Sequence, residues 1–181
     1  METKIIYFVH GTTLDNELKL CSGWNDVKLS DLGIKQASNL GKVSRERNDN
    51  FDIIFTSDLL RAIDSSNIAF PNVNKIIDDR LRECNYGELD GKKKSLVIYE
   101  EHIDISFPNG ESLIDVENRV RDFLEYVKKE YFGKTIGIVA HRAPQLALEV
   151  IINGKSWKEA IEFDWRKTGD WQPGWEYIIN Y

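Results

Sequence analysis

The sequence predicts an α/β domain built on a mainly parallel sheet with helices covering both faces. Two observations lead there. Short runs of β-branched and aromatic residues alternate along the chain with longer stretches whose apolar residues recur at helical spacing. The stretches between the runs are long enough for helical crossovers, which parallel strands require and hairpins do not. A third observation is size: 181 residues suit one core better than two, so a single domain over 1–181 is expected.

Lys4 to Val9 (K-I-I-Y-F-V) reads as a buried first strand. Ser30 is a candidate N-cap for a helix running to about Arg47, with Leu32, Ala37, Leu40 and Val43 as its apolar positions. Phe51 to Thr56 is a second strand, Ser57 to Phe70 a helix that stops before Pro71, and Asn74 to Ile77 a short third strand. Asp78 to Phe107 has weak periodicity and many charges, and reads as an irregular insertion with short helical turns. Lys92, Lys93 and Lys94 within it read as a solvated loop. Ser112-x-x-Asp115 has the form of a capping box and opens a long amphipathic helix to about Tyr131. Lys134 to Ala140 is the clearest strand, Pro144 to Asn153 a helix ended by Gly154, Ser156 to Phe163 a short helix, and Trp175 to Asn180 a final strand. The aromatics Trp157, Trp165, Trp171, Trp175 and Tyr177, with Arg166 and Lys167 among them, read as core packing and cover for the sheet edge. A substrate lid or a homodimer contact is the alternative.

The composition, 41% hydrophobic and 30% charged, is that of a soluble globular protein. The longest apolar run, Ile5 to Val9, falls far short of the roughly 18 residues that a membrane span needs. No secretory leader is evident, and Cys21 and Cys84 alone make no disulfide framework, so a cytoplasmic setting is expected. The net charge of −6 argues against nucleic acid or an anionic membrane as partner. A small phosphorylated substrate is still allowed, since it needs only a local cluster of positive groups.

In sheets of this kind ligands bind beyond the carboxyl ends of the strands. His10 follows the first strand, Arg61 lies just past the second, and His141 and Arg142 follow the strand that ends at Ala140. Guanidinium groups and helix N-termini recognise phosphate, and an imidazole nitrogen is a competent nucleophile. Glu83, after the third strand, is the best-placed carboxylate to handle a proton. Each residue taken alone also has a structural reading: a hydrogen-bonded strand-end histidine, a surface arginine, one acidic residue among thirty. A metal site lacks tight His/Cys/carboxylate spacing around His10 and His141. From the residues alone, the reading is an α/β protein with an anion site.

The ordered motifs resemble those of the histidine phosphatase (phosphoglycerate mutase-like) superfamily. Val9-His10-Gly11-Thr12-Thr13-Leu14-Asp15-Asn16 resembles R-H-G-x-T-x-x-N. Gly23-Trp24-Asn25-Asp26 through Gln36-Ala37 resembles G-W-x-D-x-x-L-T/S-x-x-G-x-x-Q-A. Phe51 to Ala62 resembles F-D-x-I-x-S-S-D-L-x-R-A, and Leu81 to Gly91 resembles L-R-E-x-x-x-G-x-x-E-G. Pro108 to Ser112 and Val139-Ala140-His141 resemble P-x-G-E-S and V-S-H.

The resemblance implies a three-layer α/β/α sandwich with a mixed, mostly parallel sheet, and chemistry without metal or organic cofactor. It makes His10 the phospho-accepting nucleophile, Arg61 and His141 its phosphoryl-binding partners, and Glu83 the proton donor and then the base. Gly11, Thr13, Asn16, Ser22 and Gly23 would line the phosphate and substrate pocket. Val9 stands where the family has Arg, and Arg142 where it usually has Gly. Arg142 either replaces the missing positive group or points away into a salt bridge. The expected activity is hydrolysis of a small phosphorylated metabolite through a phosphohistidine. The alternatives are a phosphoglycerate mutase-type phosphotransferase and a catalytically impaired phospho-ligand-binding homologue.

Overall fold

A computed structural model describes residues 2–167 and 174–180. Its five strands are β1 (Glu2–Val9), β2 (Ile53–Thr56), β3 (Lys75–Ile77), β4 (Thr135–Ala140) and β5 (Trp175–Asn180), in the sheet order β3-β2-β4-β1-β5. β1 to β4 run parallel to one another, and β5 runs antiparallel to β1 at the edge. The helices are α1 (Leu14–Glu17), α2 (Asp31–Glu46), α3 (Leu60–Ala69), α4 (Leu113–Glu130), α5 (Arg142–Ile151) and α6 (Trp157–Glu162).

β1 shows why the sheet needs cover on both sides. Ile5, Ile6, Tyr7 and Phe8 are all at most 1% exposed. Ile5 and Tyr7 join Phe55, Ile136 and Ile138 in a cluster with Val120 and Phe123 of α4 and Leu146 of α5. Ile6 and Phe8 join Ile54 and Val139 against Leu40 of α2 and Ala69 of α3. A strand buried on both faces reads as a continuous apolar run instead of alternating. The edge strand β5 does alternate, with Tyr177 and Ile179 buried and Glu176 and Ile178 outward.

Ser30 caps α2 by accepting from the Gly33 N–H at 3.2 Å. The apolar face expected for this helix is corrected: Leu32 is 50% exposed, and the buried positions are Gly33, Ala37, Leu40, Gly41 and Ser44. Small residues lie inward because the helix backbone packs closely, with Gly33 against the Thr12 backbone and Gly41 against Ala69. Two other helix starts differ from expectation. α3 begins at Leu60, three residues late, after Ser57 turns its hydroxyl back to accept from the Leu59 N–H. α5 begins at Arg142, with Pro144 inside its first turn. The Ser112–Asp115 capping box of α4 is present in both directions.

Residues 78–107 form four short 3-10 turns, held to the body by buried Leu81, Tyr99 and Phe107. Cys21 and Cys84 are buried free thiols. Of the C-terminal aromatics, Trp157 and Tyr177 are buried core and Trp175 packs edge-on to Tyr7. Trp171 lies outside the described residues. Among those residues no helix is long and apolar enough to cross a membrane.

Candidate active site

Strand register brings the two histidines together. β1 and β4 are parallel neighbours with Val9 opposite Ala140, and the His10 N–H donates to the Ala140 carbonyl at 3.1 Å. The next residue on each strand is therefore a histidine leaving the same end of the sheet. Their ring centroids are 5.0 Å apart with planes at 59°, close to the strand spacing itself.

Each histidine is fixed by its own device. His10 Nδ1 lies 2.7 Å from the Gly11 carbonyl oxygen. A carbonyl only accepts, so Nδ1 carries the hydrogen and Nε2 keeps its lone pair. His141 is held through its backbone. The buried Tyr7 hydroxyl donates to the His141 carbonyl at 2.7 Å and accepts from the His141 N–H at 3.0 Å. The His141 ring is 0% exposed, and neither nitrogen has a hydrogen-bond partner among the described residues. Burial, reinforced by the nearby Arg61 charge, pushes His10 down to about 3. The same two causes hold His141 well below the ordinary histidine value. Both imidazoles are neutral at physiological pH, as a nucleophile must be.

Arg61 enters from the first turn of α3 and is only 2% exposed. Nη1 donates to the Asn25 carbonyl at 3.0 Å and Nη2 to the Gly23 carbonyl at 2.7 Å, so the loop after α1 sets the plane of the guanidinium. Gly23 has φ +50°, and a Cβ there would collide with the Asp90 carboxylate, so this turn requires glycine. Glu83 reaches the N-terminus of α5, directly after His141. Oε1 accepts from the Ala143 N–H and the Cys84 N–H, both at 2.9 Å, and Oε2 from the Arg142 N–H at 3.2 Å. The helix end holds the carboxylate by its otherwise unpartnered amides.

His10, Arg61 and Glu83 line one cavity of about 350 Å³ together with Asn16, Ser22 and Gly23, while the fully buried His141 ring sits behind it against His10. Gly11 and Thr13 stand behind it. Gly11 orients His10 and packs on the Gly33 backbone, while buried Thr13 caps α1 by accepting from the Asn16 N–H. Arg142 forms a salt bridge, its Nε donating to Asp164 Oδ2 at 2.6 Å, while it also lines the cavity with its guanidinium 4.2 Å from the centre of the Tyr99 ring. Lys94 is exposed, as expected of a solvated lysine run, and also lines the cavity.

Sequence reading did not single out Thr12, Gln36, Tyr86, Trp165 and Arg166, which also belong to the lining, as site residues. Thr12, Gln36 and Tyr86 lie within the motifs quoted above, whereas Trp165 and Arg166 come from a distant segment that carries no local signal. The cavity thus gathers Arg61, Lys94, Arg142 and Arg166 within a chain of net charge −6. Among the described residues no group of three or more His, Cys, Asp or Glu side chains could hold a metal ion.

Comparison with known proteins agrees with this geometry. The family model for the histidine phosphatase superfamily (branch 1) matches residues 6–170. The 2,3-bisphosphoglycerate-dependent phosphoglycerate mutase of Tropheryma whipplei (strain Twist) is 32% identical over 171 residues, covering 76% of this chain and 77% of that protein. The phosphoglycerate mutase of Schizosaccharomyces pombe is 32% identical over 170 residues, covering 84% and 81%. Among solved structures, a mycobacterial glucosyl-3-phosphoglycerate phosphatase in complex with VO3 has a TM-score of 0.78 at 24% identity, covering 87% of this chain and 85% of that one. Bacillus stearothermophilus YhfR has a TM-score of 0.77 at 25% identity, covering 87% and 83%. A sheet that sets two histidines side by side at its carboxyl edge and a match along nearly the whole chain lead to one conclusion: this chain belongs to branch 1 of the histidine phosphatase superfamily.

Proposed function

We propose that the protein is a phosphatase acting on a small phosphorylated metabolite through a phosphohistidine at His10. The observation that carries this reading is the neutral His10 ring, pinned at Nδ1 and presenting Nε2 to a cavity that also holds Arg61 and Glu83. In the first step the Nε2 lone pair forms a bond to phosphorus while the bond to the leaving oxygen breaks. Glu83, protonated, gives its proton to that oxygen. In the second step the Glu83 carboxylate takes a proton from water, the water oxygen bonds to phosphorus, and the N–P electron pair returns to Nε2. Oε2 is the oxygen suited to carry the proton, since it accepts one backbone bond where Oε1 accepts two. Arg61 and the His141 ring stabilise charge on the equatorial oxygens, where phosphoryl transfer needs it.

Turnover of p-nitrophenyl phosphate by the wild type beside His10→Ala tests the reading. Loss of activity in the variant is expected, and equal rates would remove the claim. A screen of phosphorylated metabolites for released phosphate would then name the substrate. The mutase relatives at 32% identity favour a second reading, phosphoryl transfer between two positions of one substrate. Isotope exchange separates the two: stoichiometric free phosphate supports hydrolysis, and retention of label in the organic product supports transfer.

A further inference from the structure

Arg166, in the 3-10 turn Trp165–Lys167 far along the chain from His10, lines the same cavity as His10, Arg61 and Glu83. One edge of its guanidinium is committed. Nη1 donates to Asp164 Oδ1 at 2.9 Å, and the Arg166 backbone N–H donates to the same oxygen at 3.1 Å. Asp164, whose side chain is fully buried, gives its other oxygen to Arg142, so one carboxylate fixes two guanidiniums. The opposite edge of Arg166 is uncommitted: Nη2 is buried and has no hydrogen-bond partner among the described residues. A guanidinium nitrogen offers two donors, and burying both unmet is costly unless a ligand accepts them.

The other cations of the cavity are differently disposed. Both Nη atoms of Arg61 hold loop carbonyls, Arg142 lies over Tyr99 with Nε on Asp164, and Lys94 is exposed. Val9, beside the nucleophile, lines the cavity without a donor. The Arg166 charge acts on both imidazoles, contributing to the lowered values of His10 and His141.

We propose that Arg166 binds the phosphoryl group being transferred, donating from Nη2 to one of its equatorial oxygens, and that Asp164 is the positioning residue that turns this edge toward the cavity. The proposal rests on the phosphatase reading and adds a residue to it. A phosphoryl contact predicts defects even with p-nitrophenyl phosphate, which carries no second anionic group. A contact to a distal carboxylate or second phosphate on the substrate predicts none with that compound.

The test compares wild type, Arg166→Met, Arg166→Lys, Asp164→Asn and the surface control Lys167→Met. The readouts are p-nitrophenyl phosphate turnover and inorganic phosphate affinity by calorimetry, with thermal unfolding to establish that each variant is folded. Arg166→Met is expected to lower kcat/KM about 100-fold and weaken phosphate binding at least 10-fold, the scale of losing charge-assisted bonds. Arg166→Lys should recover part of both, Asp164→Asn should fall between, and Lys167→Met should match the wild type. Should Arg166→Met fail to fold, the Lys and Asn variants carry the comparison. Arg166 variants within about 3-fold of wild type on both readouts, or impaired only with doubly anionic substrates, would overturn the assignment. A wild type that binds phosphate but shows no His10-dependent turnover would instead sink the phosphatase reading, and phosphate affinity would still decide the role of Arg166.

Discussion

Removing the Tyr7 hydroxyl tests whether the His141 backbone is held in place for chemistry. Tyr7 is 0% exposed, and its hydroxyl is wedged against the His141 N–H and C=O at 3.0 and 2.7 Å. Tyr7→Phe keeps the ring that packs edge-on to Trp175 and deletes only the oxygen. The His141 N–H is then buried without a partner, at a cost of about 1–3 kcal/mol. The carbonyl still accepts from the Gln145 N–H at 3.4 Å, so its loss adds only about 0.5–1 kcal/mol. The sum, about 1.5–4 kcal/mol, should lower the urea midpoint by about 0.8–2 M for an m-value near 2 kcal/mol/M. The activity side is a double-mutant cycle. Tyr7→Phe should reduce kcat/KM about 10-fold in the wild type and have little effect in a His141→Ala background, where no ring remains to be positioned. A stability change below about 0.5 kcal/mol, or equal activity losses in both backgrounds, would refute the reasoning.

Three further outcomes are expected. Gly23→Ala places a side chain at φ +50° and onto the Asp90 carboxylate, so it should cost roughly 2 kcal/mol or more in urea unfolding and weaken phosphate inhibition as the Gly23 carbonyl shifts from Arg61; a neutral variant would contradict the turn geometry. The folded-state values of His10 and His141 lie below the ordinary value near 6.5, so as pH falls through that value the unfolded chain takes up protons first and stability is lost. His10 then costs about 2.5 kcal/mol between pH 7 and pH 4.5, and His10→Ala should lose about that much less than wild type over this range, whereas parallel stability curves would contradict the buried neutral imidazole. Glu83→Gln cannot donate a proton to a leaving alkoxide, so burst kinetics should show its first step slowed far more with an alkyl phosphate than with p-nitrophenyl phosphate, whose leaving group is stable as an anion; equal slowing would remove Glu83 as the acid.

Much of the site was legible because its parts sit where local patterns end. His10 and His141 each follow a strand whose β-branched run is unmistakable, and parallel pairing makes their meeting a matter of register. Arg61 and Glu83 came with motifs on either side of them, and both lie in the cavity. What escaped was set by tertiary packing. The inward face of α2 is made of small residues because its backbone lies against Thr12 and Ala69, and an apolar period cannot report that. Lys94 stands in a run of exposed lysines, and only the folding of the insertion brings it to the cavity. Arg166 sits in an aromatic-rich segment read mainly as packing, and its place in the cavity is set by a buried aspartate two residues before it. The sheet was expected to be mainly parallel, and the antiparallel β5 agrees with the mixed arrangement that the family resemblance implied.

The account stands on one covalent bond, from phosphorus to Nε2 of His10. Rapid acid-free quenching during turnover of 32P-labelled p-nitrophenyl phosphate, whose leaving group needs no proton from Glu83, followed by peptide mapping, measures it directly. The account predicts acid-labile, base-stable label on the peptide containing His10, approaching one equivalent when the second step is slowed in Glu83→Gln and absent in His10→Ala. Continued turnover with no label on that peptide, or with label on another residue, would contradict it.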